Sequence, residues 1–148
     1  MDKKIIIYSD GGSRGNPGHS ALGVVIEESE RGKVKSEWKY GEYLGIGTNN
    51  EAEYQGVIFG LKKAKQLIGK DNTKKTEIEV RADSELIVKQ LNGEYKIKEK
   101  RMQEFFIEIW NLKTEFKKVY FVHIPREQNS EADAMVNKEL DKQGSKLF

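Results

Sequence analysis

No cysteine occurs in the 148 residues. Disulfides and thiolate metal sites are therefore excluded, and a reducing, cytoplasmic setting agrees with that absence. Proline is nearly missing too, with only Pro17 and Pro125. There is no Pro- or Ser-rich linker, internal repeat or low-complexity tract, so the expectation is a single domain over 1–148 around one core. No apolar run approaches the ~20 residues needed to span a bilayer. The opening "MDKKIIIYSD" has a short apolar run that ends in charge, without the h-region and cleavage site of a signal peptide. An excess of one charge is also lacking: 26 Lys and Arg stand against 24 Asp and Glu, a net +2. Bulk charge thus announces no nucleic-acid binder, although lysines crowd two stretches, 61–75 and 94–101.

Glycine, by contrast, is concentrated. After the apolar "KIIIY", the stretch "YSDGGSRGNPG" places Gly11, Gly12, Gly15, Gly18 and Pro17 within eight residues, directly after Asp10. A turn would explain this composition. "KKIIIYSD" reads as a strand buried on both faces because its apolar residues do not alternate. "SALGVVIEESE" (20–30) and "GKVKSEWKYGEYLG" (32–45) read as second and third strands, joined to the first by short antiparallel links. The period then changes. Val57, Leu61, Ala64 and Ile68 form a helical stripe that stops at Gly69. A fourth strand is expected at 75–83 and a short helix in "SELIVKQLNG". A longer helix covers 98–116, with Phe105, Ile109 and Leu112 on one side. A fifth strand takes 117–125, and a last helix starts in "NSEADAMVNKELDKQG". The order βββαβααβα predicts an α/β fold: a mixed five-stranded sheet, strands 1–3 antiparallel and strands 4 and 5 parallel to strand 1, with helices packed on it.

Sites in such sheets form beyond the carboxyl ends of parallel strands. Asp10 and Asp83 both stand there. Glu53 lies four residues before Val57, on the sheet-facing side of its helix. Asp133 lies on the side of Val136 and Leu140. Each has a plainer use. Asp83 could cap "SELIV", although Ser84 could do so instead. Glu53 fits a capping box with Asn50, while Thr48 and Glu51 form a rival box that leaves Glu53 free. Asp133 falls in the cap region with Ser130. Gly56 and Gly60 each weaken the helix by roughly 1 kcal/mol against alanine, so a close backbone approach is their expected reason. Four acids gathered at one rim would repel and lose hydration, which calls for a cation. Mg²⁺ suits carboxylate oxygens, and two such ions serve in-line phosphoryl displacement.

With these residues in place, the chain resembles the type 1 ribonuclease H family over nearly its whole length. "YSDGGSRGNPG", "TNNEAEY", "ADSELIV" and "NSEADAMVN" match that family's motifs in order and spacing. The resemblance implies a ribonuclease H-like fold and endonucleolytic cleavage of the RNA strand of RNA–DNA hybrids, leaving 5′-phosphate and 3′-hydroxyl ends. It implies that Asp10, Glu53, Asp83 and Asp133 bind two Mg²⁺ ions, with Mn²⁺ as a substitute. It places Asn16, Asn49 and Asn50 against the nucleic acid, chiefly the sugar edge of the RNA strand. A side-chain amide there both donates to and accepts from a 2′-hydroxyl. Gly11 and its neighbouring glycines would let backbone amides approach the strand, and Thr48 matches a position associated with a DNA-strand phosphate. The implied partner is nucleic acid, with neither a membrane nor an obligate protein partner.

Two departures stand out. Many relatives carry a longer loop with an assisting histidine before the last helix, whereas "HIPREQNSEAD" is short. His123 reads as a strand residue, which leaves that role vacant or given to something in "REQN". Many relatives also insert a basic protrusion that "NGEYKIKEKRMQEF" lacks, leaving Lys96, Lys98, Lys100 and Arg101 as a reduced basic surface. Trp110 reads as core packing. The compact pattern resembles a protrusion-less branch, some of whose members also cut other RNA-containing duplexes. Two alternatives remain: a hybrid-binding module of the same fold with negligible turnover, and an exonuclease or strand transferase on a similar sheet. Gly12, where such exonucleases carry a second acid, disfavours the latter.

Overall fold

The computed structural model describes residues 3–146. Strands β1 (Lys3–Gly15), β2 (Gly18–Glu30) and β3 (Lys33–Gly47) form an antiparallel meander. After helix α1 (Asn49–Ile68) and a 3₁₀ turn (Thr73–Lys75), β4 (Glu77–Ala82) follows. Next come α2 (Glu85–Leu91), α3 (Lys100–Lys113) and β5 (Lys118–His123). A second 3₁₀ turn (Arg126–Gln128) leads into α4 (Ser130–Lys146). The sheet order is β3-β2-β1-β4-β5, with β4 parallel to β1 and β5 parallel to β4. This is the mixed sheet that the element order predicts, because a strand reached through a helix returns parallel to its predecessor. Among the described residues no helix is long and apolar enough to cross a membrane.

Side chains on the two faces of the sheet meet different helices. Ile5, Ile7, Val24, Ile26, Ile78 and Val80 pack against Val57, Leu61 and Ala64 of α1, and the same cluster takes in Ile109 and Leu112 of α3. On the other face, Ala21 packs with Val136 and Leu140 of α4. Ion pairs Lys62–Glu108 (2.9 Å) and Lys65–Glu115 (2.5 Å) tie α1 to the α3 end of the chain.

The first strand differs from expectation. The stretch 11–15, expected as a loop, stays in β1 and pairs with β2 as far as Gly15↔Gly18. Pairing with β4 ends much earlier, at Ser9↔Ala82. Asp10 is thus the first β1 residue beyond the β4 ladder rather than the end of the strand. The glycines here serve packing as well as turning. A Cβ on Gly11 would run into the Ala52 carbonyl and the Glu53 amide of α1. One on Gly56 would stand 2.9 Å from the Asp10 carbonyl oxygen, and one on Gly60 would stand 2.7 Å from Ile7 Cγ2. The close approach expected at the two helix glycines is observed, with backbone at Gly56 and a side chain at Gly60.

A contrast between two glycines tests this packing. Gly11→Ala, which must push α1 off β1, should lose about 3 kcal/mol of stability. Gly144→Ala in α4, with nothing within 4 Å, should gain roughly 0.5–1 kcal/mol from helix propensity. Urea unfolding of both variants, followed by circular dichroism, gives the two differences.

Candidate active site

Each acid reaches the sheet rim by a separate local device. The β1–β4 register sets Asp10 beside Asp83, each one residue past the last paired position, Ser9↔Ala82. Ser84 caps α2, its hydroxyl accepting from the Ile87 amide at 3.3 Å, so Asp83 has no cap duty. The rival capping boxes of α1 resolve toward Thr48. Its hydroxyl accepts from the Glu51 amide at 3.2 Å, and Glu51 Oε1 accepts from the Thr48 amide at 2.9 Å. Glu53 therefore has no cap duty and is carried to Asp10 by the Gly11–α1 contact. Asp133 sits in the first turn of α4, its amide donating to the Asn129 carbonyl at 3.1 Å. Asn137 Nδ2 donates to Asp133 Oδ2 at 3.2 Å.

One oxygen from each of Asp10, Glu53 and Asp83 lies within 4.8 Å of the others. Asp133 stands outside this trio but lines the same cleft, and its charge bears on Asp10. All four line one cleft of about 440 Å³, together with Asn49 and Arg126. Asp10 is only 6% exposed. Burial, and then the charge of Asp83, push its carboxyl up to about 8; the Gly11 amide pulls it down, while Asp133 raises it. Burial and then Asp10 and Asp83 hold Glu53 well above the ordinary carboxylate range, with Arg126 acting in the other direction. Glu53 Oε2 is buried with no hydrogen-bond partner among the described residues. An orphaned buried oxygen, mutual repulsion and an all-carboxylate donor set fit a hard divalent cation. Asp10, Glu53 and Asp83 could hold one, with Asp133 beside them.

The amides stand nearby, at the mouth of the β1–β2 hairpin. Asn16 Oδ1 accepts from the Asn49 amide at 3.0 Å, and Asn49 Oδ1 accepts from the Ser13 amide at 2.9 Å. These bonds lash the hairpin to the start of α1 and leave both side-chain NH₂ groups without partners among the described residues. Asn50 makes no side-chain hydrogen bond among the described residues and is half-buried. His123 closes β5 and is exposed, its Nε2 3.3 Å from the Asp83 carbonyl. Two residues of "REQN" acquire definite places. Arg126 lines the cleft, and Asn129 is buried and bonded to Asp83. The only sequence signal for either was the shortness of that segment. Trp110 departs from expectation: it is 54% exposed, stacked at 6.3 Å on Phe106 with Lys113 Nζ over its ring. Buried Ile109 and Leu112 set the inward face of α3, and Trp110 falls one step past it.

The family model described as "Reverse transcriptase-like" matches residues 8–139. The solved structure of LC11-RNase H1 in complex with an RNA/DNA hybrid is 46% identical. The match covers 95% of this chain and 99% of that one, with a TM-score of 0.84; the same protein was isolated from compost by a metagenomic approach. The chain belongs to the type 1 ribonuclease H family. The RNase H1 of the halophilic archaeon Halobacterium salinarum is 35% identical over 94% of this chain and 98% of that one, with a TM-score of 0.82. A bifunctional protein of Mycobacterium tuberculosis is 36% identical over 138 residues, 93% of this chain. The chain spans 36% of the length of that relative.

The acid cluster has a consequence for stability without metal. A carboxyl whose folded value is raised above its unfolded 3.8 binds its proton more tightly in the native state. Its contribution is therefore favourable at low pH and lost as pH climbs from about 4 through about 8. In EDTA, unfolding free energy should fall from pH 5 to pH 9. Asp10→Asn should recover roughly 2 kcal/mol or more at pH 9. Denaturant titrations at the two pH values check both statements.

Proposed function

We propose that this chain is an endoribonuclease that hydrolyses the RNA strand of RNA–DNA hybrids, leaving 5′-phosphate and 3′-hydroxyl ends. The observation that carries the reading is the convergence of Asp10, Glu53 and Asp83 oxygens within 4.8 Å at the sheet rim, in a chain whose family includes a member captured with such a hybrid. Asp10, Glu53, Asp83 and Asp133 would hold two Mg²⁺ ions, or Mn²⁺ in their place. When bound, such ions supply a water nucleophile and neutralise charge on the departing 3′ oxygen.

The chain's own residues do the remainder. The carboxylates are held by strand register and helix caps, so they need little rearrangement on loading. Asn49, which lines the cleft, and Asn16, bonded to its amide, would offer their unpartnered NH₂ groups, with Asn50 next in sequence, as donors for a ribose 2′-hydroxyl. The Thr48 hydroxyl accepts from Glu51 and still has its own hydrogen for a phosphate oxygen of the DNA strand. Gly11 lets α1 lie directly on β1 where the strand must pass. Arg126 brings positive charge among the acids and favours an entering phosphate. The short α2–α3 connection leaves Lys96, Lys98, Lys100 and Arg101 as the basic surface on that side. Arg101 is partly engaged, 3.5 Å from Glu51.

A cleavage panel tests the reading. Labelled hybrid, RNA duplex and DNA duplex are incubated with Mg²⁺ or Mn²⁺, and the ends of the products are mapped. The hybrid should be cut internally in its RNA strand. Asp10→Asn and Asp83→Asn should each reduce the rate about a thousandfold or more while hybrid binding persists. Full activity in either variant refutes the site, and binding by the native chain without cleavage favours the hybrid-binding alternative.

A further inference from the structure

Asn129 lies between the last 3₁₀ turn and α4 and is only 1% exposed. Its side-chain amide donates to the Ser9 carbonyl at 2.9 Å and to Asp83 Oδ2 at 3.3 Å. Its own carbonyl accepts from the Asp133 amide at 3.1 Å, and its amide donates to the Arg126 carbonyl at 2.9 Å. One buried residue is therefore bonded to β1 immediately before Asp10, to the Asp83 carboxylate itself and to the amide of Asp133. The side chain thus joins Ser9 and Asp83, which lie far apart in sequence, and the backbone carbonyl of the same residue holds the Asp133 amide.

We infer that Asn129 is a positioning residue for divalent-ion binding: it fixes the Asp83 carboxylate and registers the first turn of α4 against β1. The chemistry favours an amide. Both side-chain hydrogens are used, one on a backbone oxygen and one on a carboxylate oxygen. Only a group with two N–H donors and no charge does this beside an acid cluster. The bond to Oδ2 restricts rotation of the Asp83 carboxylate and leaves its Oδ1 without a partner among the described residues. Partners of this kind, which orient a ligand without touching the ion, typically change metal affinity by roughly 10–100-fold when removed. An aspartate here has the same shape but no side-chain donors when ionised, and it places a negative oxygen against the Ser9 carbonyl and Asp83.

The inference rests on the reading of the acid cluster as a metal site, and the experiment separates the two. Mn²⁺ binding is measured by calorimetry on the native chain, Asn129→Ala and Asn129→Asp, all without nucleic acid. The native chain should take up Mn²⁺, and both variants should bind it about 10-fold or more weakly. In cleavage of a hybrid, kcat should fall at fixed Mn²⁺ and recover in part as Mn²⁺ is raised, with KM for the hybrid within twofold. A residue needed only for folding would not yield to added ion in this way. In the native chain, which needs no variant to fold, the side-chain NH₂ resonances of Asn129 should shift on Mg²⁺ titration with the midpoint shown by the Asp83 amide. Asn129→Asp binding Mn²⁺ as tightly as the native chain would overturn the inference. So would NH₂ resonances that stay still while the Asp83 amide moves. Absence of ion uptake by the native chain would overturn the metal reading along with it.

Discussion

Backbone contact between α1 and β1 is the constraint on which the rest of the site depends. Helices ordinarily stand off a sheet by the depth of their side chains. Here Gly11 on the strand and Gly56 on the helix remove that spacer at successive turns, and Gly60 extends the approach over Ile7. Glycine inside a helix weakens it by roughly 1 kcal/mol against alanine, so the contact is opposed by local propensity and held by the core below it, where Val57, Leu61 and Ala64 are essentially closed to solvent. Glu53 lies on this contact, one turn before Val57. Its position is decided by how closely two backbones can meet, and hardly at all by its own side chain.

The same scaffold then works against electrostatics. Asp10 and Glu53 are raised chiefly by burial, with neighbouring acids adding to it. Acids on flexible loops would relieve such repulsion by moving apart. These cannot easily do so, because each is anchored: Asp10 by pairing with β2 on one side, Asp83 by β4 and Asn129, Glu53 by α1 and Asp133 by α4. Two hydrophobic clusters on opposite faces of the sheet hold those anchors. Apolar burial far from the rim thus keeps the acids together, and a cation entering there finds its ligands already gathered.

Much of this was legible along the chain. The change from strand to helical period marks α1 and places Glu53 by counting back four residues. The two helix glycines announce a close approach, and strands reached through helices announce the parallel pairs. What escaped depends on partners distant in sequence. Residues 11–15 have the composition of a turn, yet they remain strand because β2 continues opposite them as far as Gly18. The contest between Asn50 and Thr48 for the α1 cap could not be settled by spacing, since both boxes fit; the extended backbone at Thr48 settles it. Trp110 stands mid-helix near Ile109 and Leu112 in sequence, but α3 buries only one stripe, and the ring falls outside it. Asn129 is one polar residue in a short polar segment, and nothing local marks it as buried.

That short segment also decides the charge of the cleft. Because β5 ends at His123 and a single 3₁₀ turn leads to α4, there is no room for a long loop to fold back over the acids. His123 stays at the strand end, exposed, with its ring beside the Asp83 carbonyl, while Arg126 lines the cleft and lowers Glu53. The exchange has a physical consequence. An imidazole near pH 7 gains and loses its proton, whereas a guanidinium remains charged throughout that range. Arg126 therefore brings a charge to this rim that does not change near neutrality, beside acids that burial and their neighbours raise, Asp10 to about 8. A divalent ion and the Asp10 proton then compete for the same buried oxygens, so uptake of the ion releases the proton and ion affinity rises with pH.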